Sequence, residues 1–305
     1  MIAHQLTLVR RELWEHRSIW VTPVAIGVVV SLLVMAMLVF ASGFAKELDV
    51  AIFGAQNLAG EEQRSIALIM HFLGTSWIFL IALAILTVFY CLDSLYAERK
   101  DKSILFWRSL PVTDAETVLS KLLTAVFVIP LITCAGIFVT HLVNLVVTSI
   151  WVSTKGGSAG TLIWSSLPII DIWLFTFIVV ISSAIWMSPF VGWFLLVSAW
   201  TKRMPLLVAF MPIIVIPLLE WIVFRTRFFA SAVGERGDNL PIFHIGDIEM
   251  LFEGDEWLRN IPDVQLLDLI DIGKFMTHPE TWIGIIVCGL LTTAAIYVRR
   301  FRDES

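Results

Sequence analysis

Charge is scarce in this sequence. Only 15% of its 305 residues are Asp, Glu, Lys or Arg, while 58% are hydrophobic. No soluble globular domain needs so large an apolar share, so that class is set aside at once. Cysteine is scarce too. Cys91, Cys134 and Cys288 each lie within an apolar run, and an odd set of buried thiols excludes a disulfide framework. There is no His-Glu-x-x-His and no Gly-x-x-x-x-Gly-Lys-[Ser/Thr], and no enzymatic constellation stands out, which argues against an intramembrane enzyme. If ATP drives anything here, its site is on another polypeptide. Repeats of solenoid length, low-complexity tracts and lipidation motifs are also missing.

What the chain has is apolar runs. A stretch longer than about 18 residues is a candidate span, because a ~30 Å hydrocarbon core takes about 20 helical residues. Six such stretches are found, at 21–40, 65–92, 122–152, 167–200, 205–224 and 281–298. The fourth is interrupted by Pro189 and Gly192, and the fifth carries Pro205, Pro212 and Pro217. The first is too long for a signal-peptide core and is expected to remain as an anchor. Ahead of it, Ile2, Leu6, Val9 and Leu13 share one helical face, with Trp14 and Trp20 suited to headgroup level. Residues 1–20 therefore read as an amphipathic helix lying on the membrane. The fold expected is an all-α polytopic membrane protein: one domain over 1–305, six transmembrane helices and an N-terminal interfacial helix in contact with the bilayer.

Six spans put both termini on one side. That side carries thirteen of the 21 Lys and Arg residues, in shorter loops, so the positive-inside rule places it in the cytoplasm. Residues 225–280 fall on the outer side and hold eleven of the 26 Asp and Glu residues. They lack EF-hand spacing and read as a solvated acidic surface rather than a calcium cage. Their apolar residues, such as Leu266, Leu267 and Ile270, suggest that part of the segment packs on the outer membrane face.

Three polar residues inside spans are candidates for a translocation path. His141 and Asn144 lie one turn apart in the third span. They line a path or, as is commoner, bond neighbouring helices. Glu220 sits toward the outer end of the fifth span beside Trp221. It faces a cavity or reaches the interface as an anchor, and both readings stand.

The stretch 93–121 organises the rest. It is a charged island between two apolar runs, with Arg99, Lys100, Lys102, Arg108 and Lys121. Pro111 stops a helix. Thr113 and Glu116 have capping-box spacing and start another. Ile104, Leu105, Phe106 and Trp107 give the piece between a greasy aromatic face outside the membrane. Such an ordered loop fits a partner's grip; the plainer alternative is a connector lying on headgroups.

At this island the chain resembles ABC-2-type transporter permeases. The resemblance rests on Glu98-Arg99, then Ile104-Leu105, Leu110-Pro111 and Thr113-Asp114, closing at Lys121. The amphipathic N-terminus, the Trp200-to-Pro205 turn and the Arg-rich tail are similar as well. Ser103 stands near where such permeases often have Gly, and the long 225–280 segment departs from their usual short pair of outer helices. The resemblance implies a permease subunit of an ATP-driven exporter, in a bacterial plasma membrane, pairing with a second permease copy and with ABC ATPase subunits. It implies no cofactor in this chain, with ATP and magnesium held by the ATPase, and no nucleic acid. It makes the island a cytoplasmic coupling helix between spans two and three. The residues it nominates are Tyr96, Glu98, Arg99, Leu105, Phe106, Trp107, Arg108 and Pro111. Leu105, Phe106 and Trp107 would fill an ATPase groove, with Glu98, Arg99 and Arg108 at its rim. The rival reading, a secondary transporter or channel, usually carries several ionisable groups at discontinuous helices; here only His141 and Glu220 qualify.

Overall fold

The computed structural model describes residues 2–40, 58–102, 112–238, 240–243 and 266–301. Within them every regular element is helical, apart from an isolated bridge between Phe243 and Ile270. Helix α1 is Ile2–Glu15, α2 is Ser18–Phe40 and α3 is Leu58–Lys100. Helix α4 covers Asp114–Thr154, with a π-helical turn at Thr124–Val128. Then come α5 (Ile169–Trp186), α6 (Ser188–Trp200) and α7 (Pro205–Leu219), the last continued by a π-helical turn, Glu220–Phe224. Helices α8 (Phe228–Asp238), α9 (Ile272–Thr277) and α10 (Pro279–Phe301) complete the set. Six of these are long and apolar enough to cross a membrane: α2, α3, α4, α5, α10, and α7 with its π turn. The chain is thus an all-α polytopic membrane protein. The end that carries both termini is the near end below, and the opposite end the far end.

Local chemistry sets the boundaries. At the start of α4, the Thr113 hydroxyl accepts the Glu116 N–H and the Glu116 carboxylate accepts the Thr113 N–H, closing the expected capping box. The fourth span breaks at Met187, two residues ahead of Pro189. Proline disfavours helix in the residue before it and offers no N–H for the carbonyl four residues back. In α7 the missing N–H of Pro217 is followed by the π-wound turn.

Helix α3 differs from expectation at both ends. It begins at Leu58 and runs unbroken to Lys100, so residues 93–100 are its last turns rather than a loop. Leu95, Ala97, Glu98, Arg99 and Lys100 are strong helix formers, and the two terminal cations suit the helix dipole. From Arg64, α3 has 37 residues, and α4 has 41. At 1.5 Å per residue these are rods of about 55–60 Å, well beyond a ~30 Å hydrocarbon core. They form a two-helix stalk whose near ends are joined in sequence through residues 103–111.

Packing is close where residues are small. Helices α6 and α10 form the most extensive pair. A Cβ on Gly192 would stand 3.0 Å from the Cys288 carbonyl oxygen, so the small residue lets these backbones approach closely. Helix α7 is the opposite case. Ala209 is its one buried residue; Val208 packs on the core and Phe210 on Phe194 along one side, and the rest of its apolar surface is exposed.

Candidate functional site

Four elements bring charged side chains to the near end, where they meet inside the protein. Glu12 of α1 and Lys121 of α4 have no exposure, and Glu98 of α3 and Arg299 of α10 are almost as buried. The Lys121 ammonium lies 3.0 and 3.1 Å from the two Glu12 carboxylate oxygens and 3.0 Å from Glu98 Oε1. Arg11 donates to Glu98 at 3.0 Å. Arg299 donates to the other Glu98 oxygen at 2.5 Å and to Asp114 at 2.9 Å. The Tyr90 hydroxyl donates to Glu12 at 2.9 Å. His16 stands 3.9 Å from Glu12, but burial pushes its imidazole below the usual histidine range, against the pull of that carboxylate.

This arrangement ties two stalk helices to α1 and α10. Buried charges are costly to desolvate, and the geometry here repays that cost by giving each carboxylate at least two donors. Helix α1 is held partly by the same contacts. Leu8 and Glu12 face the bundle, Leu13 packs against the near-end core, and Leu6 and Trp14 stay exposed. Its docking face is therefore one step round from the Ile2, Leu6, Val9, Leu13 stripe.

The nominated coupling residues divide into two sets. Glu98 and Arg99 turn inward. The Glu98 carboxylate is enclosed by the three cations just described, not presented at a rim. The Arg99 guanidinium donates to the carbonyls of Ser198 and Thr201 at the end of α6. Tyr96 is half-buried beside them, its N–H donating to Ser198 Oγ at 3.0 Å. Leu105, Phe106, Trp107, Arg108 and Pro111 lie outside the described residues.

His141 and Asn144 are both fully buried in α4, and they differ in what they bind. The Trp173 indole N–H donates to His141 Nδ1 at 3.2 Å. An indole nitrogen only donates, so the ring proton is on Nε2, 3.3 Å from Ser76 Oγ. His141 is a saturated bridge between α3, α4 and α5. Asn144 has neither amide atom paired within the described residues. An unpaired buried amide costs folding free energy, so Asn144 is the group at this level with bonding capacity to spare.

Glu220 is not brought near either of them. Its carboxylate accepts the N–H groups of Phe228 and Phe229, at 2.6 and 2.9 Å, and the Thr226 hydroxyl at 3.0 Å. It caps the first turn of α8 and sets the direction in which the chain leaves α7. Glu220→Ala should speed amide exchange at Phe228 and Phe229, with Glu220→Gln intermediate because its carbonyl still accepts. Unchanged exchange in the Ala variant would remove the capping role.

One stretch, Gly156-Gly157-Ser158-Ala159-Gly160, carries the Gly-x-Ser-x-Gly spelling. A nucleophile elbow needs a strand running into the turn. Here the exposed Ser158 follows helix α4 and precedes a π-helical turn, Gly160–Trp164, so the spelling carries no chemistry.

Sequence reasoning passed over Glu12, Arg299, Trp186 and Arg236. The signal for the first two was available: Lys121 interrupts an otherwise apolar stretch, and a lysine buried there requires carboxylates.

A family model described as "ABC-2 family transporter protein" matches residues 65–233, more than half of the chain. No curated protein and no solved structure matches it.

Proposed function

We propose that this chain, which belongs to the ABC-2 transporter family, is the permease subunit of an ATP-driven exporter whose ATPase docks on the loop between α3 and α4. One observation carries the reading. The helices flanking that loop are locked by Glu98 and Lys121 to α1 and α10, so force applied to the loop reaches four elements at once. Closure of two soluble ATPase subunits moves membrane helices only through a contact of that stiffness. In this reading the near end is cytoplasmic, as its excess of Lys and Arg supports, and the membrane is a bacterial plasma membrane. Two copies of the chain form the path. The outward-facing apolar surface of α7 supports a second copy, and Asn144 is the polar group best placed to serve the path. ATP and magnesium belong to the partner, since the chain has no phosphate-cradling loop. Export is the direction the family resemblance favours.

The experiment is purification in mild detergent with lipid. The chain should bring an ATPase subunit with it, behave as a dimer, and neither bind nor hydrolyse ATP once stripped of that partner. A permease that stays monomeric with the ATPase bound would refute the dimer; nucleotide hydrolysis by the stripped chain would refute the division of labour. Orientation is checked separately: an impermeant thiol reagent added to intact cells should reach a cysteine placed at Ser158 and not one at Ser103.

A further inference from the structure

We infer that α6 is a rocker arm, driven at Ser198 by the end of α3 and pivoting at Met187, beside which Arg236 clasps Trp186, the last residue of α5. The inference rests on the docking role proposed for the α3–α4 loop.

The drive end is a single fully buried serine. Its hydroxyl donates to the Leu92 carbonyl at 2.8 Å and accepts the N–H groups of Leu95 and Tyr96 at 3.1 and 3.0 Å. A side chain set into the backbone ladder of a neighbouring helix is one of the few features that let a helix bend. Helix α3 has no Pro or Gly between Gly74 and its end at Lys100, so the joint is supplied from outside. Arg99 completes the grip by donating to the carbonyls of Ser198 and Thr201. Ser198 is thus held through its side chain and its main chain by the residues that lead into the loop.

The other end of α6 is a break. Met187 separates it from α5, leaving the Trp186 carbonyl outside the helical ladder. Arg236 of α8 donates to that carbonyl at 2.6 Å and to the Glu280 carbonyl at the start of α10. The Trp186 indole N–H donates back to the Arg236 carbonyl at 2.9 Å, and the guanidinium lies 4.4 Å from the Trp186 ring centroid. Gly284 makes room for it: a Cβ there would stand 2.4 Å from Arg236 Nη1. Ile242 and Phe275 share a buried cluster with Trp186. The segment between α7 and α10 therefore grips span four at its break. Between drive and pivot, α6 is an uninterrupted 13-residue helix running along α10.

The test uses the permease bound to its ATPase subunit in lipid vesicles, with Cys91, Cys134 and Cys288 replaced by alanine and Ser188→Cys as the reporter. Ser188 is buried beside the break. The probe is N-ethylmaleimide, with and without ATP plus vanadate. In the parent, nucleotide should raise the labelling rate about tenfold, the equilibrium factor carried by roughly one net hydrogen bond. Ser198→Ala should leave labelling slow in both conditions, because the drive is cut. Arg236→Gln should leave it fast in both, because the clasp is gone. Two opposite phenotypes from the two ends of one helix are not what general destabilisation produces. A parent that ignores nucleotide, a Ser198→Ala variant that responds as the parent does, or an Arg236→Gln variant that stays slow would each overturn the rocker. Trp107→Ala separates the two proposals. If it keeps the ATPase bound, the docking role fails. If it releases the ATPase while Ser198→Ala still responds like the parent, the rocker alone fails.

Discussion

Replacing Lys121 with methionine is expected to cost the fold about 3–5 kcal/mol, the penalty for leaving buried charges uncompensated. Lys121 is fully buried, and its ammonium is shared by Glu12 and Glu98. Glu98 would keep Arg11 and Arg299. Glu12 would keep its Arg11 contact, at 3.1 Å, and the Tyr90 hydroxyl, but lose the ammonium that lies within 3.1 Å of both its oxygens. The measurement is unfolding of the purified permease in mixed micelles. The double variant Glu12→Gln/Lys121→Met should recover a large share of the loss, because it removes both charges and leaves an amide that Tyr90 can still reach. Glu15→Gln, which breaks the pair with Arg11 at the exposed rim, should cost less than about 1 kcal/mol. A Lys121→Met variant as stable as the parent would mean that this cluster does not hold the near end together.

The contrast between these variants marks how far the sequence could be read. Span number and helical class follow from run length, because a bilayer leaves a backbone few alternatives. The Thr113–Glu116 cap was legible because it is local: both partners lie within one turn. Met187 was nearly legible, since Pro189 announced a break and missed its position by two residues. The near-end cluster was not. Lys121 signals that a carboxylate must be close, but nothing in the spacing says that it comes from residue 12, on a helix that reads as lying free on the membrane. Ser198 is harder still. A serine in an apolar helix usually bonds its own preceding turn, and only tertiary packing sets its hydroxyl into α3. Glu98 and Arg99 stood out in the sequence as a pair, yet their direction was opaque. Both are charged residues at the end of a helix, where outward is the default, and the counter-charges that turn Glu98 inward come from elements far away in the chain. Glu220 was open in the sequence between a cavity and an interface anchor. An acid in an apolar run points to a cavity, but the run ends within four residues, and the free N–H groups of the next helix lie within reach.

Trp107→Ala should release the ATPase subunit, weakening its association by about 30-fold or more, as truncation of a buried aromatic anchor commonly does. The stalk provides the reason. Helices α3 and α4 extend well past the hydrocarbon, and their near ends are clamped by the cluster around Glu98 and Lys121, so the residues between them are presented from a rigid base. Under the docking proposal, Leu105, Phe106 and Trp107, successive in the sequence, are the residues to fill an apolar groove of the partner. Arg108→Ala should matter much less to affinity, because a rim charge acts mainly on the rate of encounter and on its salt dependence. Glu98→Gln should behave differently from both. Its carboxylate faces Lys121, Arg11 and Arg299 inside the protein, so it touches no partner, and association should persist. What should change is transmission: with one oxygen exchanged for a donor, the links to α4 and α10 loosen, and ATP hydrolysis by the complex should no longer report the state of the membrane helices. The three variants are compared in membranes by co-purification of the ATPase and by its hydrolysis rate, each after a check that the permease remains monodisperse. Loss of the ATPase with Trp107→Ala alone, and altered hydrolysis with Glu98→Gln alone, would separate the grip from the linkage; three variants that bind and hydrolyse like the parent would mean the ATPase holds the permease somewhere else.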